Sequence, residues 1–100
     1  MNSCCIYRHI KPNGEVFYIG IGKTIKRAYV KSKRSEFWKN LVLRYGYEVQ
    51  ILKQDLSWEE ACELEKILIS HYGRKDLKLG TLVNMADGGD GGFGVIQSKE

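Results

Sequence analysis

The most constraining feature of this sequence is a turn signal set between two apolar stretches. Residues 4–10 read CCIYRHI and residues 16–21 read VFYIGI, with Lys11-Pro12-Asn13-Gly14-Glu15 between them. Asn-Gly favours a tight reversal because both residues tolerate positive φ. Pro12, the only proline, fixes its own φ and donates nothing to a strand ladder. The first twenty or so residues are therefore predicted to form an antiparallel β-hairpin. Alternation along a strand puts Cys5, Tyr7 and His9 on one face, and Val16, Tyr18 and Gly20 on one face. Which of these faces coincide depends on a register that the sequence leaves open.

The return strand runs into VFYIGIGKTIKR, where Gly20 and Gly22 break it and Lys23, Lys26 and Arg27 follow. Glycines at a strand end allow close approach of another group, and the cations beyond them can hold an anion. Thr24 can cap a helix over 24–29. A second helix is predicted over 35–44, with Phe37, Leu41 and Tyr45 at spacing four and Gly46 as its stop. Residues 47–52 (YEVQIL) alternate as a half-buried third strand, and 53–56 read as a loop. Ser57-Trp58-Glu59-Glu60 is a capping box that opens a helix running to about Tyr72, with Gly73 behind it. A short extended segment, 81–84, precedes five glycines between Gly88 and Gly94. The glycine-rich loop has the backbone to cradle a phosphate, and reads equally as a linker or tail. The expected fold is thus α+β: a small, three-stranded, mainly antiparallel sheet that starts with a hairpin and is flanked by helices. Residues 1–86 form the domain and 87–100 a tail or linker.

One hundred residues with 43% hydrophobic content suit one domain with a modest core. No apolar run approaches the roughly 20 residues of a membrane span, and the N-terminus does not read as a signal peptide. An odd count of three cysteines, with Cys4 and Cys5 adjacent, argues against a disulfide framework and for a reducing, cytoplasmic setting. These cysteines and the two histidines lack the spacing of a zinc site. Net charge is only +4, yet Lys23, Lys26, Arg27, Lys31, Lys33 and Arg34 fall in twelve residues with no acid among them. Such a field beside aromatics suits nucleic acid; a merely solvated basic segment is the plainer reading. Glu65 sits within the apolar stripe of the last helix, ~40° from Ala61. A carboxylate there needs a partner, a proton or a metal. A structural salt bridge, for instance to Arg27, competes with a functional role.

The ordered set Cys5-Ile6-Tyr7, Tyr18-Ile19-Gly20, Arg27, Glu65 within EEACELEKILI, and Asn84 resembles the GIY-YIG nuclease domain. The phrases FYIGIGK, WEEACELEKILI and LVNMADGG look especially like small members from phages and mobile elements. The resemblance covers about residues 5–92 and implies a metal-dependent DNA endonuclease. By that resemblance Tyr7, Tyr18, Arg27 and Glu65 are catalytic, and Glu65 binds a single Mg²⁺ or Mn²⁺. Gly20 lets the backbone pass close, and Asn84, Lys23 and Lys31 support the site. Two departures stand out: Cys5 replaces the first motif's glycine, and Lys31 stands where many members have histidine or tyrosine.

The chemistry fits these residues. A Glu65-bound ion acts as Lewis acid and template, and Arg27 donates to the phosphate as charge builds. A tyrosine base needs nearby cations, since its ordinary pKa is near 10; Tyr7 is the expected base, with Tyr18 positioning water or phosphate. The six cations from Lys23 to Arg34 are the expected DNA contacts. The protein is expected to be a monomer or weak dimer. A DNA-reading domain, if there is one, would attach at the glycine-rich end. The rival expectation is a catalytically inactive nucleic-acid-binding module of the same fold.

Overall fold

The computed structural model describes residues 3–84. The glycine-rich segment expected to be a tail or phosphate loop lies outside them. Three strands, β1 (Cys4–Ile10), β2 (Val16–Gly22) and β3 (Glu48–Leu56), form an open antiparallel sheet in the order β2-β1-β3. The predicted hairpin is there. Its turn is closed by Gly14 N–H to Lys11 C=O at 2.8 Å, and Gly14 takes φ 94°, which explains glycine at this position.

β1 is the central strand, and its near-continuous burial follows from packing on both faces. Ile6 and Ile10 face one way, with Ile19 and Ile21 of β2. Helix α2 (Trp58–Tyr72) covers that face through Ala61, Cys62 and Ile69. Arg8 shares this face and is satisfied by Gln50 at 2.6 Å and the Tyr72 hydroxyl at 3.0 Å. The capping box of α2 forms as predicted, with reciprocal Ser57–Glu60 bonds of 2.9 and 3.1 Å.

Cys5, Tyr7 and His9 face the other way. Here lie helix α1 (Glu36–Tyr45), which buries Trp38 and Leu41, and a 3-10 helix over Ile25–Tyr29, which buries Ala28. Two expectations are corrected in detail. The segment after β2 is a single 3-10 helix, and the Thr24 side chain makes no capping bond. Residues 53–56, expected as a loop, continue β3, because Cys4 and Ile6 pair with Leu56 and Lys53 across two register shifts. Such bulges absorb the residues that break the alternation read from 47–52.

The outer edge of β2 is zipped by residues 81–84. Val83 N–H donates to Phe17 C=O at 2.7 Å, and the Thr81 hydroxyl donates to Val16 C=O at 2.7 Å. Among the described residues no helix is long and apolar enough to cross a membrane.

Candidate functional site

The register settles what alternation alone left open. Tyr7 pairs with Gly20 and His9 with Tyr18, so both tyrosines stand on the same face of the sheet. Their ring centroids are 6.4 Å apart. Gly20 has a specific reason: a Cβ there would collide with the hydroxyl end of the Tyr7 ring. The ring lies across β2, and only glycine leaves room for it. The next glycine repeats the device, since a Cβ on Gly22 would collide with Cβ of Arg27. One glycine thus seats Tyr7 and the other seats Arg27, bringing Tyr7, Tyr18 and Arg27 to one side of the molecule.

Arg34 completes this group, and it is not the surface cation that its place in the basic run suggested. It is 7% exposed. Its guanidinium donates to Val30 C=O at 2.8 Å, Arg27 C=O at 2.9 Å and the Tyr7 hydroxyl at 3.2 Å. It also lies 5.3–5.8 Å from the ring centres of Tyr18, Trp38 and Tyr7. Arg34 therefore satisfies carbonyls at the end of the 3-10 helix and fixes the backbone of Arg27. Lys23, Lys26, Lys31 and Lys33 are exposed.

His9 is the second residue whose role the sequence did not reveal. It is fully buried beneath the tyrosines, with its ring 5.4 Å from that of Tyr18 and nearly parallel to it. Nε2 is 2.8 Å from Ala28 C=O, and Nδ1 is 3.0 Å from Trp38 Nε1. The indole can only donate and the carbonyl can only accept, so the ring is neutral with its proton on Nε2. Burial pushes its pKa down to about 4, and Arg34 and Arg27 push the same way against the Ala28 carbonyl. His9 ties the central strand to the 3-10 helix carrying Arg27 and to α1.

Tyr7 is 1% exposed. Burial, with Tyr18 adding to it, raises its hydroxyl pKa to about 12 despite Arg34 and Arg27. It stays protonated at neutral pH in the free protein, which counts against the expected role as ready-made base. Tyr18 is only half-buried and is the more open of the two hydroxyl-bearing rings.

Glu65 and Asn84 come from elsewhere. Asn84 is buried at the β2 edge, where its side chain accepts from Ile19 N–H at 3.1 Å and donates to Ile19 C=O at 2.8 Å. It acts as a one-residue strand partner for the residue between Tyr18 and Gly20. Glu65, 8% exposed, lies in the buried stripe of α2 between Ala61 and Ile69. That stripe packs on the sheet face opposite Tyr7. Lys23, just past β2, stands 5.8 Å over the Trp58 ring. Trp58 and Glu65 are ~20° apart around the helix and ~10 Å apart along it. Glu65 therefore follows the line of α2 that starts where β2 ends. Among the described residues no three His, Cys, Asp or Glu side chains gather to hold a metal.

Comparison with protein-family models, with curated proteins and with solved structures gave no match.

Proposed function

We propose that this chain is a metal-dependent DNA endonuclease of the GIY-YIG type. The observation that carries the reading is the pair of glycine seats. Gly20 and Gly22, two residues apart, hold Tyr7 and Arg27 beside Tyr18 on one sheet face. A domain needing only a stable core has little use for two such close fits next to an exposed basic segment.

Hydrolysis of a phosphodiester requires a water to attack phosphorus, a group to receive its proton, and stabilisation of the charge on the phosphate as the ester P–O bond breaks. Arg27 donates to the non-bridging oxygens in this reading, and Lys23 adds charge at the same end of β2. The more open Tyr18 is the hydroxyl that meets water. The buried Tyr7, braced by Arg34, orients it. Mg²⁺ or Mn²⁺ is commonly held by one or two carboxylates, with phosphate and water completing the shell. Glu65, the one buried carboxylate among the described residues, fits such a donor set. An ion held there would supply Lewis acidity. Asn84 keeps β2 in place behind the site.

The test is nicking of supercoiled plasmid with Mg²⁺ by wild type, Glu65→Ala and Arg27→Ala. Cutting by wild type and a loss of at least about a hundredfold in each variant is expected, the scale of removing a transition-state donor. Undiminished cutting by Glu65→Ala would remove it from the site.

The second reading is a nucleic-acid-binding module without catalysis. The burial of Tyr7 and the engagement of its hydroxyl by Arg34 favour it. It requires salt-dependent DNA binding with no cleavage in any divalent metal. On either reading the partner is DNA, bound by a monomer or weak dimer in the cytoplasm.

A further inference from the structure

We infer a second contact for DNA, remote from the tyrosine-arginine site, on the surface between α1 and the hairpin turn. A cleft of about 210 Å³ opens there, lined by Lys11, Phe37, Asn40, Arg44, Tyr45 and Lys75, with Leu41 at its base. Three of these are cations and none is an acid. Lys11 is partly committed, to Glu15 at 3.3 Å and to the Tyr45 ring at 4.5 Å. Arg44 lies 5.5 Å from the centre of the same ring, and Lys75 arrives from the 3-10 helix Lys75–Leu77. Phe37 and Tyr45 keep 38% and 49% of their surface exposed. They are eight residues apart on α1, so they share a face.

Cations from three separate parts of the chain meeting around two exposed rings match one ligand chemistry well. A phosphodiester offers an anion to Arg44 and Lys75, and its deoxyribose offers an apolar flank to Phe37. Guanidinium and ammonium groups from different elements are the usual anchors of a nucleic-acid backbone. The location fits a path as well. α1 packs on the sheet face that carries Tyr7, His9 and Tyr18. Lys11 follows β1, four residues from Tyr7, which is ~13 Å along a strand. That is ~4 base pairs of duplex at 3.4 Å each. A strand crossing Tyr18, which pairs with His9, therefore reaches Lys11 at the edge of this cleft within a few nucleotides and is held at two points. The basic segment 23–33 and this cleft then form one track. It supplies grip and polarity to a small domain with little surface for reading bases.

This inference shares with the nuclease reading only the premise that the chain binds DNA. The experiment is fluorescence anisotropy of a labelled 20-base-pair duplex in EDTA, across a salt series. Wild type is compared with Arg44→Ala/Lys75→Ala, with Phe37→Ala and with Lys66→Ala as a remote charge control, each checked for fold by circular dichroism. The double variant is expected to bind about tenfold more weakly at 0.1 M salt. Its slope of log K against log salt falls by about two, one per lost phosphate contact. Phe37→Ala weakens binding with the slope intact. An unchanged affinity in the double variant overturns the second contact, as does an equal loss in Lys66→Ala. Binding is read without metal, so a failure here leaves plasmid nicking free to succeed, and a failure to nick leaves this result standing.

Discussion

Adding one methyl group at Gly20 isolates the contact on which the tyrosine-arginine face depends. Gly20 does not occupy the positive-φ region, so alanine meets no backbone penalty there. Its Cβ would instead lie within 3.0 Å of three atoms of Tyr7, the hydroxyl oxygen among them. Tyr7 cannot swing aside: it is 1% exposed, bound by Arg34 and packed against His9 at 5.1 Å between ring centres. Overpacking of this kind costs about 1–3 kcal/mol, and the confinement of the ring puts Gly20→Ala at the upper end. For a domain of this size that is a fall of roughly 10–20 °C in Tm. Tyr7→Ala alone removes a buried aromatic and costs about 3–5 kcal/mol. In the double variant the new methyl sits where the ring was. The two losses should then fall short of additive by more than about 1 kcal/mol, as expected of groups in contact. Urea unfolding followed by far-UV circular dichroism measures all four proteins. A Gly20→Ala variant within about 0.5 kcal/mol of wild type would refute the reasoning, and so would a strictly additive pair.

Three further outcomes follow from the same geometry. His9 has a folded pKa of about 4 against an ordinary 6.5, so the unfolded chain binds the extra proton first. Stability should be flat above pH 6.5 and fall by roughly 3 kcal/mol as pH drops to 4. Thermal melts across that range check this, and an identical slope in His9→Phe would assign it to other groups. Arg34→Met leaves the Arg27 and Val30 carbonyls and the Tyr7 hydroxyl short of a donor, and should cost about 2–4 kcal/mol in urea unfolding. A surface arginine would cost under about 0.5. Glu65→Gln should abolish Mn²⁺ binding in titration calorimetry; Mn²⁺ binding retained by the variant would remove Glu65 as the ligand.

Much of the fold was legible because its signals are local. The Asn13-Gly14 turn, the Ser57–Glu60 capping box and the stops at Gly46 and Gly73 each depend on a few adjacent residues, and each stands where expected. β3 was drawn short because its pairing with β1 passes through register shifts, and a bulge disrupts the alternation that marks a strand. At the site, alternation placed Tyr7 with His9 and Tyr18 with Gly20, and pairing then brought the two sets onto one face. Arg34 was hidden because nothing in a run of cations distinguishes the member that folds inward; its three acceptors become neighbours only when the chain turns after the 3-10 helix. His9 gave one clue, its strand position on the Tyr7 face. Its bonds to Ala28 and Trp38 span nineteen and twenty-nine residues. Glu65 was the reverse: an acid in an apolar stripe is visible in sequence, and it is buried there.

The nuclease reading is tested most directly by whether Glu65 holds a divalent ion. Crystals soaked in Mn²⁺ and measured at the manganese absorption edge give the answer. An anomalous peak beside the Glu65 carboxylate is expected, and none in Glu65→Gln crystals. A manganese-saturated wild-type crystal with no peak at Glu65, or with the peak retained in Glu65→Gln, would contradict it.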